Sequence, residues 1–360
     1  MSTCVEDFTY IADVKRNECL LKTEKFFVVH KSRWLDSFYE HFKAICAEIR
    51  NLQDESELPA ISYLEYTALY TNFINRQYVA DVFVYGEKGF LDKAQYCVGR
   101  YDVSFLFYYF DRLWDDLLSL RKRYVGKIPA QKITAFMLDT LPDFYSYLAQ
   151  IARCAIFELT DASPLVDIKK TELFVINVGG YMSITEGVYQ ENGNKHVEKL
   201  CKWFSEQLYG TYIFGDYSRL DFSDRVFEYT DFRFAHFCGS SLNNTNLKGS
   251  KLIGANFRSA NMEKCQLDYC TINEADFSSA ILKNANFKNA HAKSGLINDK
   301  DWKFPGFLPT NFRYADLTNA DFTGANLAGA DFTGATLTGA NFTDAVLDGA
   351  IFDNNGAVRK

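Results

Sequence analysis

The sequence predicts an α+β chain of two unlike parts. A mainly α-helical domain spans residues 1–210, a solenoid spans 211–353, and 354–360 form a short tail. Two observations predict this. From Tyr217 to Phe352 a large apolar side chain recurs at nearly every fifth position, whereas before residue 210 apolar residues recur at steps of three and four. A helix repeats near 3.6 residues and a strand near 2, so a period of five belongs to neither and signals a repeat architecture.

In the first part, Leu35, Phe38, Phe42, Ile45, Ile49 and Leu52 place a helix over Asp36–Gln53, and Val103, Leu106, Phe110, Leu113, Leu117, Leu120 and Tyr124 mark another. Further helices are expected at about 60–85, at 143–158 with Pro142 just ahead of the first turn, and at 195–209. The last carries Val197, Leu200, Phe204 and Leu208 on one side and is expected to cap the solenoid. Glu172–Ser183, rich in Val, Ile and Phe, reads as strand or helix. These stripes are too short for a sustained coiled coil and predict ordinary packing in a bundle. A homodimer through this domain remains compatible with them.

Chemistry-bearing motifs do not emerge. There is no GxGxxG, P-loop, HExxH, nucleophile elbow or CxxC. The five histidines are dispersed, and His196 with Cys201 has no neighbours to complete four metal ligands. Asp115 and Asp116 point about 100° apart on a helix and predict a solvated face. Arg121-Lys122-Arg123 suits a helix C-terminus. No catalytic, cofactor-binding or metal site is therefore predicted, and no cofactor. The N-terminus lacks a basic segment followed by an apolar stretch, no run approaches a membrane span, and the nine cysteines sit singly among apolar neighbours. A cytoplasmic protein with reduced thiols is expected.

In the second part the fifth-position residues run from Phe222, Phe227, Phe232 and Phe237 to Phe342, Leu347 and Phe352. Two residues before most of them sits Ala, Ser or Cys. Cys265 and Cys270 fall on that small position, so they read as substitutes for Ala. Segments such as Ala315-Asp316-Leu317-Thr318-Asn319 and Ala320-Asp321-Phe322-Thr323-Gly324 resemble the pentapeptide-repeat family, whose consensus is A(D/N)LXX. The resemblance implies a right-handed, four-sided β-helix with the Leu/Phe and the preceding Ala inward and three positions outward. The register from Tyr217 to Phe352 accommodates 28 pentapeptides, or about seven coils. Such a rod lacks converging polar groups and suits a non-enzymatic scaffold or adaptor that binds another protein.

Between 293 and 310 the small-residue rule fails, with Lys300 and Pro305 at positions that favour Ala. Either one coil is degenerate, with Ile297, Trp302 and Phe307 inward, or a loop projects. Trp302, Lys303 and Phe304 are candidate partner contacts on such a loop. From Arg233 to Lys293 eight basic residues face four acidic ones. From Tyr314 to Val358 there is no Lys or Arg, while Asp316, Asp321, Asp331, Asp344, Asp348 and Asp353 all take outward positions. These six are the other candidate partner contacts. Family members that confer quinolone resistance imitate duplex DNA on DNA gyrase, so the resemblance implies a gyrase modulator as an alternative. Thirty-four ångströms of duplex carries about 20 charges, and six aspartates make a thinner field. A third alternative is an enzyme or biosynthetic accessory protein with its site in the helical domain. Neither nucleic acid nor membrane is an expected direct partner.

Overall fold

The computed structural model describes residues 2–91, 96–157, 164–180, 185–192, 197–206, 212–292 and 308–353. The chain divides into two compact units, Met1–Tyr189 and Gln190–Lys360.

The first unit begins with α1 (Ser2–Asp54), a helix without Gly or Pro and about 80 Å long at 1.5 Å per residue. The helix expected over 36–53 is its C-terminal third. Phe8, Ala12, Leu20, Phe27, Trp34, Phe38, Phe42, Ile45 and Ile49 recur at helical spacing and are buried along one face. After it come β1 (Ile61–Ala68), α2 (Tyr70–Ile74), β2 (Val79–Tyr85), β3 (Tyr96–Asp102), α3 (Tyr108–Arg121), α4 (Ala130–Phe157), β4 (Lys170–Gly180) and β5 (Thr185–Asn192). The strands form one sheet in the order β3-β2-β1-β4-β5. β1 runs antiparallel to β2 and parallel to β4, and β2 runs antiparallel to β3. α1 packs on α3, α4 and β3. No helix among the described residues is long and apolar enough to cross a membrane.

The N-terminal part is therefore helical with a small sheet: the mainly helical expectation holds, and the sheet is what it lacked. Residues 60–85 are two strands around one short helix. β1 is a central strand with Ile61, Leu64, Tyr66, Thr67 and Ala68 all buried, so the polar alternation that marks a half-exposed strand is lost. Residues 172–180, left open between strand and helix, lie in β4. Pro142 lies inside α4 rather than ahead of it. It removes one backbone donor there, and flanking Leu141 and Phe144 stay fully buried.

The second unit contains α5 (Val197–Glu206) and the repeat rod. Val197 and Leu200 pack against the rod's apolar core. Each pentapeptide contributes one short parallel rung, and rungs twenty residues apart pair: Asp216 with His236, His236 with Asn256, Asn256 with Asp276. Four such columns make four walls. The central residues stack inside, most clearly where Phe237, Phe257 and Phe277 lie 5.1 Å apart with rings within 7° of parallel. Two polar residues at the small interior position donate to carbonyls of the preceding coil, Thr245 Oγ1 to Phe222 O (2.9 Å) and Ser250 Oγ to Phe227 O (2.8 Å), and Ser240 Oγ donates to Phe237 O of its own coil (2.6 Å). Cys265 and Cys270 take the same position, fully buried, and burial pushes the Cys270 thiol up to about 12.

At the irregular segment Asp276 pairs with Asn311, and Phe312 stacks on Phe277 at 5.1 Å. Pairs here are 35 residues apart instead of twenty, so the coils described on either side pair directly with each other; residues 293–307, on which the choice between a degenerate coil and a projecting loop falls, lie outside the described residues. Thr310 closes the junction, its hydroxyl donating to Ile272 O (2.9 Å) and Ala292 O (3.2 Å). Among the described residues the ladder from Tyr217 carries rungs for six coils before Phe352. Ile297, Trp302, Lys303, Phe304 and Phe307 lie outside the described residues.

Candidate interaction surface

The outward positions of a pentapeptide have separate duties. The Asp or Asn ahead of the central residue accepts the amide two residues on: Thr318 N to Asp316 Oδ1 (3.2 Å), Thr323 N to Asp321 Oδ1 (3.0 Å), Thr333 N to Asp331 Oδ1 (2.9 Å). Asn does the same at Asn256, Asn311 and Asn326. This local bond makes Asp or Asn the favoured residue there. The residue two after the centre is left-handed, φ +53° to +77° from Gly239 to Gly349, which suits Gly and Asn.

Successive pentapeptides occupy successive walls, so aspartates five residues apart do not share a face. Asp331 and Asp353 border the wall stacked on Asp216, Asp316 the wall on Asp221, Asp321 and Asp344 the wall on Val226, and Asp348 the wall on Asp231. Nor is the acidic end free of cations, because the neighbours that count lie one coil away. Lys283 Nζ stands 3.2 Å from Asp316, Lys288 Nζ 3.1 Å from Asp321 and Arg313 Nε 3.9 Å from Asp331. Asp353 accepts the Gly334 amide at 2.7 Å. The six candidate aspartates thus spread over four walls, three of them beside cations.

The wall stacked on Val226 carries what the sequence did not single out. Its turn edge runs Tyr229, Gly249, Tyr269, Asn289, Gly324, Asp344, with Tyr229 and Tyr269 61% and 59% exposed. A Cβ on Gly249 would come within 2.4 Å of the Tyr229 ring, so that ring lies across the glycine. Lys248 Nζ lies 5.7 Å from the centre of the Tyr269 ring and 3.3 Å from Asp268 Oδ2. With exposed Val226, the two tyrosines stand on the N-terminal half of this wall among polar neighbours, including Asn246, which donates to Glu228 at 2.7 Å. Its C-terminal half carries Asp321 and Asp344. Aromatic residues at an outward, left-handed position are the signal that would have pointed here.

The first unit offers less. Asp115 and Asp116 are separated, the former bound to Arg76 and the latter to Lys15 at 3.0 Å. A cleft of about 360 Å³ between α1 and α3 is lined by Lys15, Glu18, Lys22, Arg112, Asp115 and Asp116, whose charges cancel, with Cys19 at its floor. Burial pushes the Cys19 thiol up to about 12. His41 Nε2 lies 3.0 Å from the Arg100 carbonyl, which only accepts, so Nε2 carries the hydrogen and Nδ1 accepts from Tyr66 Oη at 3.3 Å. Burial also holds His41 below its ordinary pKa, which makes it a neutral brace between α1, β1 and β3. Among the described residues no three His, Cys, Asp or Glu converge as metal ligands.

A family model for pentapeptide repeats matches in eight copies over residues 230–268, 260–293 and 310–354. No curated protein matches the sequence significantly. Among solved structures, the chain is similar to QnrB1, a plasmid-mediated fluoroquinolone resistance protein, at 22% identity over 39% of this chain and 65% of that one, TM-score 0.22. It is also similar to HetL, involved in heterocyst differentiation regulation in the cyanobacterium Nostoc, at 18% identity over 45% and 99%, TM-score 0.17. A thylakoid-lumen protein of Arabidopsis thaliana matches at 28% identity over 39% and 75%, TM-score 0.17. The chain thus spans less than two-thirds of the length of the first of these. With the five-residue register, the paired rungs and the family match in agreement, the C-terminal part of this chain, residues 230–354, belongs to the pentapeptide-repeat family.

Proposed function

We propose that this chain is a non-enzymatic, cytoplasmic interaction protein that docks another protein on the rod wall bearing Tyr229, Lys248 and Tyr269. The observation that carries this is the strip of two exposed tyrosines with a lysine between them on one straight wall. Exposed aromatic rings on a rigid frame lose little entropy on binding and are enriched among residues that dominate interface energetics. A β-helix supplies that rigidity, since every rung is held by the coils before and after it.

Imitation of DNA on gyrase is the weaker reading. A duplex presents charge all along its axis, whereas here the aspartates are divided among walls and three stand beside lysine or arginine. An active site in the first unit is weaker still, because its cleft combines cancelling charges with a thiol held protonated.

The test is affinity capture from the source cell with the full chain, read by mass spectrometry, beside a Tyr229→Ala/Tyr269→Ala variant of equal melting temperature. Loss of the captured partner by the variant supports the reading; equal capture refutes it. In a supercoiling assay with a quinolone present, no protection of gyrase is expected.

A further inference from the structure

The face of α1 opposite the one it buries is not polar. Tyr10, Val14, Leu21 and Val28 are exposed, Tyr10 by 71% and Leu21 by 42%. At about 100° per residue these four fall within roughly 40° of arc, directly opposite the stripe of Phe8, Ala12, Phe27 and Trp34 that faces the core. A solvent-facing helix normally carries charge at such positions; here a line of apolar side chains about two turns apart runs between exposed Asn17 on one side and Lys25 on the other.

The spacing of the stripe says what fits it. Val14 and Val28 each lie seven residues from Leu21, so these three read the same from either end, while Tyr10 falls opposite Ser32. A second copy of the same helix, laid antiparallel about a two-fold axis at Leu21, sets Leu21 against Leu21 and each Val14 against the other chain's Val28. This is the self-complementary patch that a two-fold interface requires. The flanking charges obey the same symmetry. Glu18 and Lys25 lie on one border of the stripe, three residues before and four after Leu21, both exposed. Among the described residues neither has an ion pair within its own chain. In the antiparallel arrangement the Glu18 of each copy meets the other's Lys25, twice per dimer. A parallel arrangement brings neither pair together.

We propose that two copies of this chain pair antiparallel through the N-terminal half of α1, with Leu21 on the two-fold axis. The pairing is independent of the rod wall and of any partner bound there.

Sedimentation velocity on the full chain across a range of concentrations tests it. The parent chain should dimerise, and Leu21→Glu should weaken dimerisation by at least about tenfold while the monomer, compared at a concentration too low for pairing, melts as the parent does, since the residue is exposed. Glu18→Lys alone and Lys25→Glu alone should each weaken it several-fold by opposing like charges, and the double variant should recover the parent affinity. A parent chain that stays monomeric overturns the proposal. A dimer indifferent to Leu21→Glu places the interface elsewhere and overturns it as well. A dimer that Leu21→Glu breaks but the double charge exchange fails to restore overturns the antiparallel register.

Discussion

Phe107 in the first unit and Phe277 in the rod are both almost wholly buried, yet their surroundings are assembled by opposite means. Phe107 meets Phe73 of α2, Tyr78 ahead of β2, Phe110 of α3 and Phe144 of α4, with ring centres 4.5 to 5.7 Å away. Its neighbours come from stretches of chain up to 37 residues away that have nothing in common. Phe277 meets Phe257 and Phe312, the same residue type at the same position of the preceding and following coils, each at 5.1 Å. The first kind of core holds only if all its elements arrive together. The second is a sum of nearest-neighbour terms. Identical burial thus carries different consequences for how far damage spreads.

Phe107→Ala should show the largest effect. Loss of a buried aromatic costs about 3–5 kcal/mol, and hydrogen exchange should rise in α3, α4 and the sheet alike. Phe332→Ala should cost a similar amount, and Ala330→Leu about 1–3 kcal/mol by overpacking. For both, the faster exchange should remain in the coils next to the substitution. Exchange that accelerates uniformly along the rod would erase the distinction between the two cores. At the rod's C-terminal end Phe352 is only half-buried against Phe332, so Phe352→Ala should cost less than half as much as Phe332→Ala in thermal melts.

The same contrast explains what the sequence revealed. In the rod a residue's position within the repeat sets its environment, so Phe332 inward, Ala330 beside it and Asp331 outward were legible from the period alone. What a period of five could not supply was the twenty-residue stacking. Asp316, Asp321 and Asp331 looked like one acidic run because they are near in sequence, while Lys283, Lys288 and Arg313 stand beside them in space. Phe312 returned in phase with Ala292 after a multiple of five, and a period alone does not report that Asp276 pairs with Asn311, 35 residues on. In the first unit Ile61, Leu64 and Ala68 mimic helical spacing because β1 is covered on both faces. The strand was settled by β2 and β4 pairing with it on either side, which no local pattern reports.

Removing residues 293–307 is a sharper test of locality. The pairings and the Phe277–Phe312 stack close without them, so a chain with 292 joined to 308 should melt within a degree or two of the parent. Closure entropy changes only slowly with the length of a connecting segment. A collapse of stability would mean that those residues serve the core after all. Conversely, if the deletion leaves the melt intact but reduces partner capture, the segment joins the Tyr229 wall as a binding element.

The smallest effect concerns the ion pairs that bridge this junction. Lys283–Asp316 and Lys288–Asp321 connect the coils on either side of it. Partial burial disfavours both carboxylates, but the Thr318 and Thr323 hydroxyls and amides, together with the lysines, outweigh it and hold both pKa values below the ordinary 3.8. The sign follows by linkage: a depressed carboxylate stabilises the fold fully above its unfolded value, and the contribution is lost as pH falls through the lower folded value. Because the pairs lie at the surface, each should be worth less than about 1 kcal/mol. Urea unfolding of the rod should therefore be flat from pH 7 to about 5 and weaken gradually below about 4. Asp316→Asn/Asp321→Asn should change stability at pH 7 by under about 1 kcal/mol, because Asn keeps the turn bond as Asn311 does. The double variant should also lose part of the decline below pH 4. An unchanged acid limb would assign that decline to other carboxylates and leave the junction held by Thr310 and the Phe277–Phe312 stack alone.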